Sequence, residues 1–144
     1  MAEIVYQLKN AVNFHTKSNI RWLSVNEMAI FNEHLKLSKQ NQIDDIKWLD
    51  NLLYEESIKY CILFHCDFPV ARGAIEPYSD NAWEAADIRS ADEYRGKGFA
   101  KGILSFLSKY IIENGRIATC RTEDDNHAMI NVIKSLGYVV VDDV

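Results

Sequence analysis

Apolar residues recur along this chain with two periods, and each change of period marks an element. Within 101–113 they fall at Ile103, Leu104, Phe106, Leu107, Tyr110 and Ile111, the three- and four-residue spacing of one helical face. Residues 128–136 repeat that spacing. Residues 82–90 alternate instead, as a half-buried strand does, and 116–121 and 139–141 are β-prone runs. Gly115 and Gly137 follow the two helical patterns as stops. Upstream, 60–65 and 70–75 read as an antiparallel pair about a turn at 66–69, and 77–81 turn again. Residues 44–56 place Ile46, Leu49, Leu52 and Leu53 on one helical face. Ser24 or Asn26 is the predicted cap of a helix running to Leu37. Residues 2–13 predict a short helix, with Ile4, Leu8, Ala11 and Val12 on one side. An antiparallel meander followed by strand, helix, strand, helix and strand gives an α+β fold class.

Between the strand 82–90 and the helix after it stands Arg95-Gly96-Lys97-Gly98-Phe99-Ala100. Glycines there let several backbone N–H groups point at one place, and the helix dipole adds partial positive charge. Arg95, Lys97 and Lys101 add full charge, so the loop suits a phosphate or pyrophosphate. The spacing of a Walker loop is absent. A dinucleotide fingerprint requires a small third residue where Lys101 stands, and no parallel strand with a ribose-binding acid follows. The pattern Arg/Gln-x-x-Gly-x-Gly/Ala is met in full by Arg95, Gly98 and Ala100.

That pattern is the acyl-CoA pyrophosphate loop of the GNAT superfamily of N-acetyltransferases, which this chain resembles. The order downstream agrees: a strand, Asn126, a helix, Leu136-Gly137-Tyr138 and a last strand. The resemblance covers about 59–144. It implies a mixed, mostly antiparallel central sheet flanked by helices, with splayed central strands. The usual first strand of that fold has no convincing match in the N-terminal residues.

By the same resemblance, acetyl-CoA is the co-substrate, and transfer to an amine is direct, within a ternary complex. Ile88, Arg89 and Ser90 line the pantetheine arm, and Arg95, Gly96, Lys97, Gly98, Phe99, Ala100 and Lys101 hold the pyrophosphate. Asn126 caps the last helix and contacts the arm. Glu84, eleven residues before Arg95, takes the place of the general base in histone-type relatives. It would act on an amine of pKa about 10.4. Asp87 is the alternative base, but in a regular strand it faces the opposite way from Glu84. Many relatives carry a Tyr as general acid where this chain has Ile133. Met129, Ile130 and Ile133 read as core by helical spacing, and so does Tyr138.

Length, an apolar content of 48% and the lack of a repeat or linker predict one domain over 1–144. No apolar stretch is long enough for a membrane span and no signal peptide is visible. Three cysteines without framework spacing predict a reducing, cytoplasmic setting. Cys61, His65 and Cys66 lack the spacing and fourth ligand of a zinc site, so no metal is expected. A net charge of −5 argues against nucleic acid as a partner. The acceptor is then a small-molecule or peptide amine, and the chain is compatible with a homodimer.

Overall fold

The computed structural model describes residues 2–10, 19–54 and 57–141. Its strands are β1 (Glu3–Leu8), β2 (Ile20–Trp22), β3 (Lys59–His65), β4 (Phe68–Glu76), β5 (Ala82–Ser90), β6 (Ile117–Glu123) and β7 (Val139–Val140). Its helices are α1 (Met28–Leu37), α2 (Asp45–Leu49), α3 (Phe99–Glu113) and α4 (His127–Ser135). All seven strands form one sheet in the order β2-β3-β4-β5-β6-β1-β7. Every neighbouring pair is antiparallel except β5 with β6. The fold is mixed α+β, as the pattern implied.

The N-terminal expectation is overturned. Residues 3–8 form a strand, not a helix, and it runs between β6 and β7. Ile4 and Leu8 fit both periods, which is the ambiguity of any short apolar run. The tertiary partner decides: six residues of β1 pair with β6, from Glu3↔Glu123 to Leu8↔Ala118. Tyr6 and Leu8 then point into the core. Residues 11–13 of the expected helix, and Glu55 and Glu56 of another, lie outside the described residues.

Smaller corrections follow the local chemistry. Helix α1 starts after Glu27, whose side chain does not cap it; Ser24 and Asn26 do not cap it either. Glu27 instead takes two hydrogen bonds from Arg21, at 2.8 and 2.9 Å, and one from the Ser24 N–H. The Arg21 guanidinium and that N–H pull its carboxyl down to about 2. Asp44 caps α2 by accepting from the Lys47 N–H at 2.9 Å, and the chain continues from α2 as a π-helical turn over Asp50–Tyr54. The turn after β3 is tighter than 66–69. Cys66 and Asp67, at φ of 50° and 68°, make it alone, and Phe68 already belongs to β4.

Each face of the sheet has its own core. On one face α3 and α4 cover Cys61, Leu63, Ala71, Ile75, Ala85, Ala118 and Cys120 with Ile103, Leu104, Leu107, Ile111 and Ile133. Gly73 lets α3 approach β4. A Cβ there would overlap the Ile103 Cγ2 methyl and stand 2.9 Å from Leu107 Cδ1. On the other face Phe31, Leu35 and Trp48 cover Tyr60, Ile62 and Ala74. The rings of Phe31, Trp48 and Tyr60 lie 4.6 to 5.6 Å apart by centroid. Among the described residues no helix is long and apolar enough to cross a membrane.

His34 of α1 is fully buried on this second face. Its Nδ1–H donates to the Pro69 carbonyl at 2.8 Å, and its Nε2 lies 3.3 Å from Ser38 Oγ. Burial is the main cause that lowers its pKa to about 4, with Arg72 and Arg89 adding to it. The unfolded chain takes up a proton near pH 6.5, and the folded chain does so only near 4. Stability should therefore fall as pH drops from about 6.5 to about 4, by about 3 kcal/mol from this residue, and then level off. Urea unfolding at pH 7, 5.5 and 4 should show that slope in the native protein. In His34→Asn it should be reduced by the same amount.

Candidate functional site

Strands β5 and β6 pair over only three residues each. The parallel contact runs from Ala82↔Ile117 to Glu84↔Thr119 and stops there. Beyond it β5 continues to Ser90 and β6 to Glu123 without pairing with each other. The gap opens into a cavity of about 450 Å³. Ile88, Arg89 and Ser90 line one wall, and Asn126, Ala128, Met129 and Val132 the other. Arg95, Gly96, Gly98, Phe99, Ala100 and Lys101 close its end.

The loop at that end is built for an anion. Gly96 and Gly98 hold φ of 77° and 80°, a region that side chains avoid. The N-cap of α3 is Gly98, which has no side chain to cap the helix. The dipole of a fifteen-residue helix points its positive end into the same space. Arg95 is steadied by Asp92 at 3.0 Å. Asn126 keeps both of its expected places. Its Oδ1 accepts from the Met129 N–H at 3.2 Å, and it borders the cavity.

Of the twelve residues singled out from the sequence, ten border this one cavity. Lys97 and Glu84 do not. Lys97 is exposed, its ammonium 6.0 Å from the centre of the Tyr94 ring. Glu84 is the last residue of β5 to pair with β6, at the apex of the gap, and is nearly buried. Its Oε1 accepts from Arg121 Nε at 2.7 Å, and Arg121 also reaches Glu3 Oε1 at 3.3 Å. The Glu84 hydrogen bond is the main cause that raises the Arg121 pKa. Glu76 stands directly across the β4–β5 ladder from Glu84.

The expectation that Asp87 faces away from Glu84 fails, because β5 is not regular. Arg72 pairs with Arg89 and Ala74 with Ala86, so Asp87 and Ile88 together oppose Gly73. Asp87 sits at φ 52° in this bulge. The extra residue turns its carboxylate to the face that Glu84 occupies, where Arg72 binds it at 2.9 and 3.0 Å. Ile133 is fully buried, and the Tyr138 hydroxyl meets Ser108 Oγ at 2.6 Å, in the core. Burial pushes the Tyr138 pKa up. Among the described residues no group of three or more His, Cys, Asp or Glu is placed to hold a metal ion.

The model of the acetyltransferase (GNAT) family matches residues 22–138. The chain belongs to this family. No protein of curated function matches its sequence. Among solved structures, the fold is similar to an acetyltransferase from the GNAT family of Colwellia psychrerythraea (TM-score 0.75, 19% identity). The match covers 96% of this chain and 52% of that one, so the chain spans about half the length of that relative. It is also similar to AAC(6′)-Iy in complex with the bisubstrate analog CoA-S-monomethyl-acetylneamine (TM-score 0.67, 14% identity, 87% of this chain and 92% of that one). A third is a ribosomal-protein-alanine N-acetyltransferase from Brucella melitensis biovar Abortus 2308 (TM-score 0.64, 16% identity, 87% and 94%).

Two residues of the cavity wall escaped the sequence reading, Ala128 and Val132. Met129, read as core, packs against the core and borders the cavity as well. Their helical spacing was visible, but spacing alone does not say which apolar flank of α4 meets α3 and which meets the gap. The bulge at Asp87 left no signal, since Asp is not a residue that requires positive φ.

The loop geometry generates a graded test. A Cβ at Gly98 meets nothing within 4 Å, so Gly98→Ala adds only the strain of positive φ. Gly98→Asp adds a carboxylate among donors aimed at an anion. Calorimetric affinity for acetyl-CoA should fall by about tenfold in the alanine variant and by a further factor of ten or more in the aspartate variant. Unchanged affinity in folded Gly98→Asp would move the anion site elsewhere.

Proposed function

We propose that this protein transfers an acetyl group from acetyl-CoA to a primary amine, directly and in a ternary complex. The observation that carries the reading is the gap between β5 and β6, closed at one end by the N-terminus of α3. Acetyl-CoA supplies the activated thioester. The backbone N–H groups of 96–101, with Arg95 and Lys101, hold the pyrophosphate. Lys97 contributes long-range charge from the surface. The free edge of β5 at Ile88, Arg89 and Ser90 offers its backbone to the pantetheine arm as a neighbouring strand would. Asn126, Met129 and Val132 close the opposite wall and exclude water. Asn126 is fixed for that place by its own capping bond. The complex of AAC(6′)-Iy with a CoA-derived bisubstrate analog supports this assignment.

The acceptor approaches the face that carries Glu84, where Arg121, Glu3 and Tyr78 are exposed. It is a small-molecule or peptide amine. Similar solved structures include an aminoglycoside acetyltransferase from an uncultured soil metagenomic sample and a ribosomal-protein-alanine N-acetyltransferase, names that span both kinds. Glu84, at the apex of the gap, receives the ammonium proton, and Arg121 keeps its carboxylate oriented. The reaction runs in a reducing compartment, the cytoplasm, within one catalytic domain. The buried Ile133 offers no acid to the departing thiolate, which favours a second reading: a binding module of weak turnover.

Release of free CoA, followed with a thiol reagent across a panel of amines, tests the function. Release that depends on one class of amine establishes transfer. Tight acetyl-CoA binding with no release establishes the second reading. Once an acceptor is in hand, Glu84→Gln should keep acetyl-CoA affinity and lower turnover by about 10²–10⁴. The defect should shrink at alkaline pH, where more amine is already neutral. Equal pH–rate profiles for the two proteins would assign the proton to another group.

A further inference from the structure

Arg72 is buried to 5% exposure, yet it belongs to no wall of the cavity. Its fork is fully directed. Nε and Nη2 bind the two oxygens of Asp87 at 3.0 and 2.9 Å, and Nη1 binds Gln40 Oε1 at 2.5 Å. Its guanidinium carbon lies 6.0 Å from the centre of the Phe31 ring. The next residue on the same strand is Gly73, the one residue opposed by two on β5. The partner, Asp87, holds φ of 52°, where a strand residue ordinarily lies near −120° to −140°. Three features thus meet at one point of the ladder: a buried arginine, a non-glycine residue in the left-handed region, and a register shift.

We propose that Arg72 is a positioning residue for the cofactor wall. It holds Asp87 in the left-handed conformation and so maintains the bulge that sets the facing of Ile88, Arg89 and Ser90. The proposal rests on the reading of the cavity as an acetyl-CoA site. Without the bulge β5 would run one residue out of phase beyond Ala86. A one-residue slip turns every later side chain to the other face. Ile88 would leave its packing against the core, and the strand edge beside the gap would present different backbone groups. The turn after α1 reinforces the same point: Gln40 receives Arg72 Nη1, and the Ser38 carbonyl receives Arg89 Nη2 at 3.3 Å. The first helix is thereby tied to the cofactor strand without touching the cavity.

The roles of the ion pair and the bulge separate by substitution, because glycine adopts positive φ with no side-chain partner. Arg72→Met should weaken calorimetric acetyl-CoA affinity by about tenfold or more at a temperature well below its own melting point. Arg72→Met combined with Asp87→Gly should recover most of that affinity, even where melting temperature is not recovered. A purely structural arginine gives the opposite result, a lowered melting temperature with affinity unmoved. That result overturns the proposal, as does a double variant no better than the single one. If Arg72→Met does not fold, Asp87→Gly and Asp87→Val decide the matter. The glycine should bind like the native protein and the valine about tenfold more weakly, and equal binding overturns the proposal. Amide chemical shifts of residues 86–90 in the ligand-free protein read the bulge directly. Native protein that fails to bind acetyl-CoA defeats the cofactor reading. The hold of Arg72 on the bulge is still decided by whether those shifts move in Arg72→Met and return in the double variant.

Discussion

Parallel pairing between β5 and β6 lasts three residues, and the rest of the molecule follows from its ending there. A continuous ladder would satisfy every backbone group and leave no gap. Where it stops, the end of β5 borders the cavity, and backbone groups that leave the ladder need other partners. The helix that connects the two strands starts at the mouth of that space, because its first residue follows the loop after β5. One break in the ladder thus places a free strand edge and a helix N-terminus on the same cavity. One suits an extended amide chain and the other an anion, by backbone hydrogen bonding and by helix dipole.

The break must be held open, and packing on both faces does so. Helix α3 lies against β4 at Gly73, where a side chain would push it away. Helix α4 sets Ile133 into the core and turns Met129 and Val132 to the gap. On the far side of β6, β1 completes the ladder over six residues and presents Glu3 to Arg121. The N-terminal strand therefore stiffens the wall of the gap that β5 has left. It also brings the first described residues of the chain beside the last strand, with Tyr6 opposite Val140.

Charge on the face that bears Glu84 is arranged in held pairs. Arg121 engages Glu84 and Glu3, and Arg72 engages Asp87 and Gln40. Each carboxylate that sequence reasoning weighed as a base is bound by an arginine. Glu84 differs from Asp87 in standing at the apex, while the Asp87 pair lies on the bulge. The first ends the β5–β6 ladder, and the second sits where β5 shifts register against β4.

The C-terminal half was legible because its signals are local. Glycine at positive φ, helical spacing over four turns and a capping Asn act within a few residues, so Arg95 to Lys101, α3, α4 and Asn126 stand where their pattern put them. Ten of the twelve candidate residues meet at one cavity for the same reason. The first strand was not legible, because Ile4 and Leu8 satisfy either period and only the vacant edge of β6 chooses the strand. Nor did local pattern reveal the facing of Asp87: a bulge is a property of two strands, set here by Arg72 fifteen residues away. The sequence by itself determined the anion loop, the helices around it and the family. The tertiary structure decided which carboxylates share a face, which flank of α4 meets the cavity, and that the first strand enters the sheet between β6 and β7, since each depends on a partner distant in the chain.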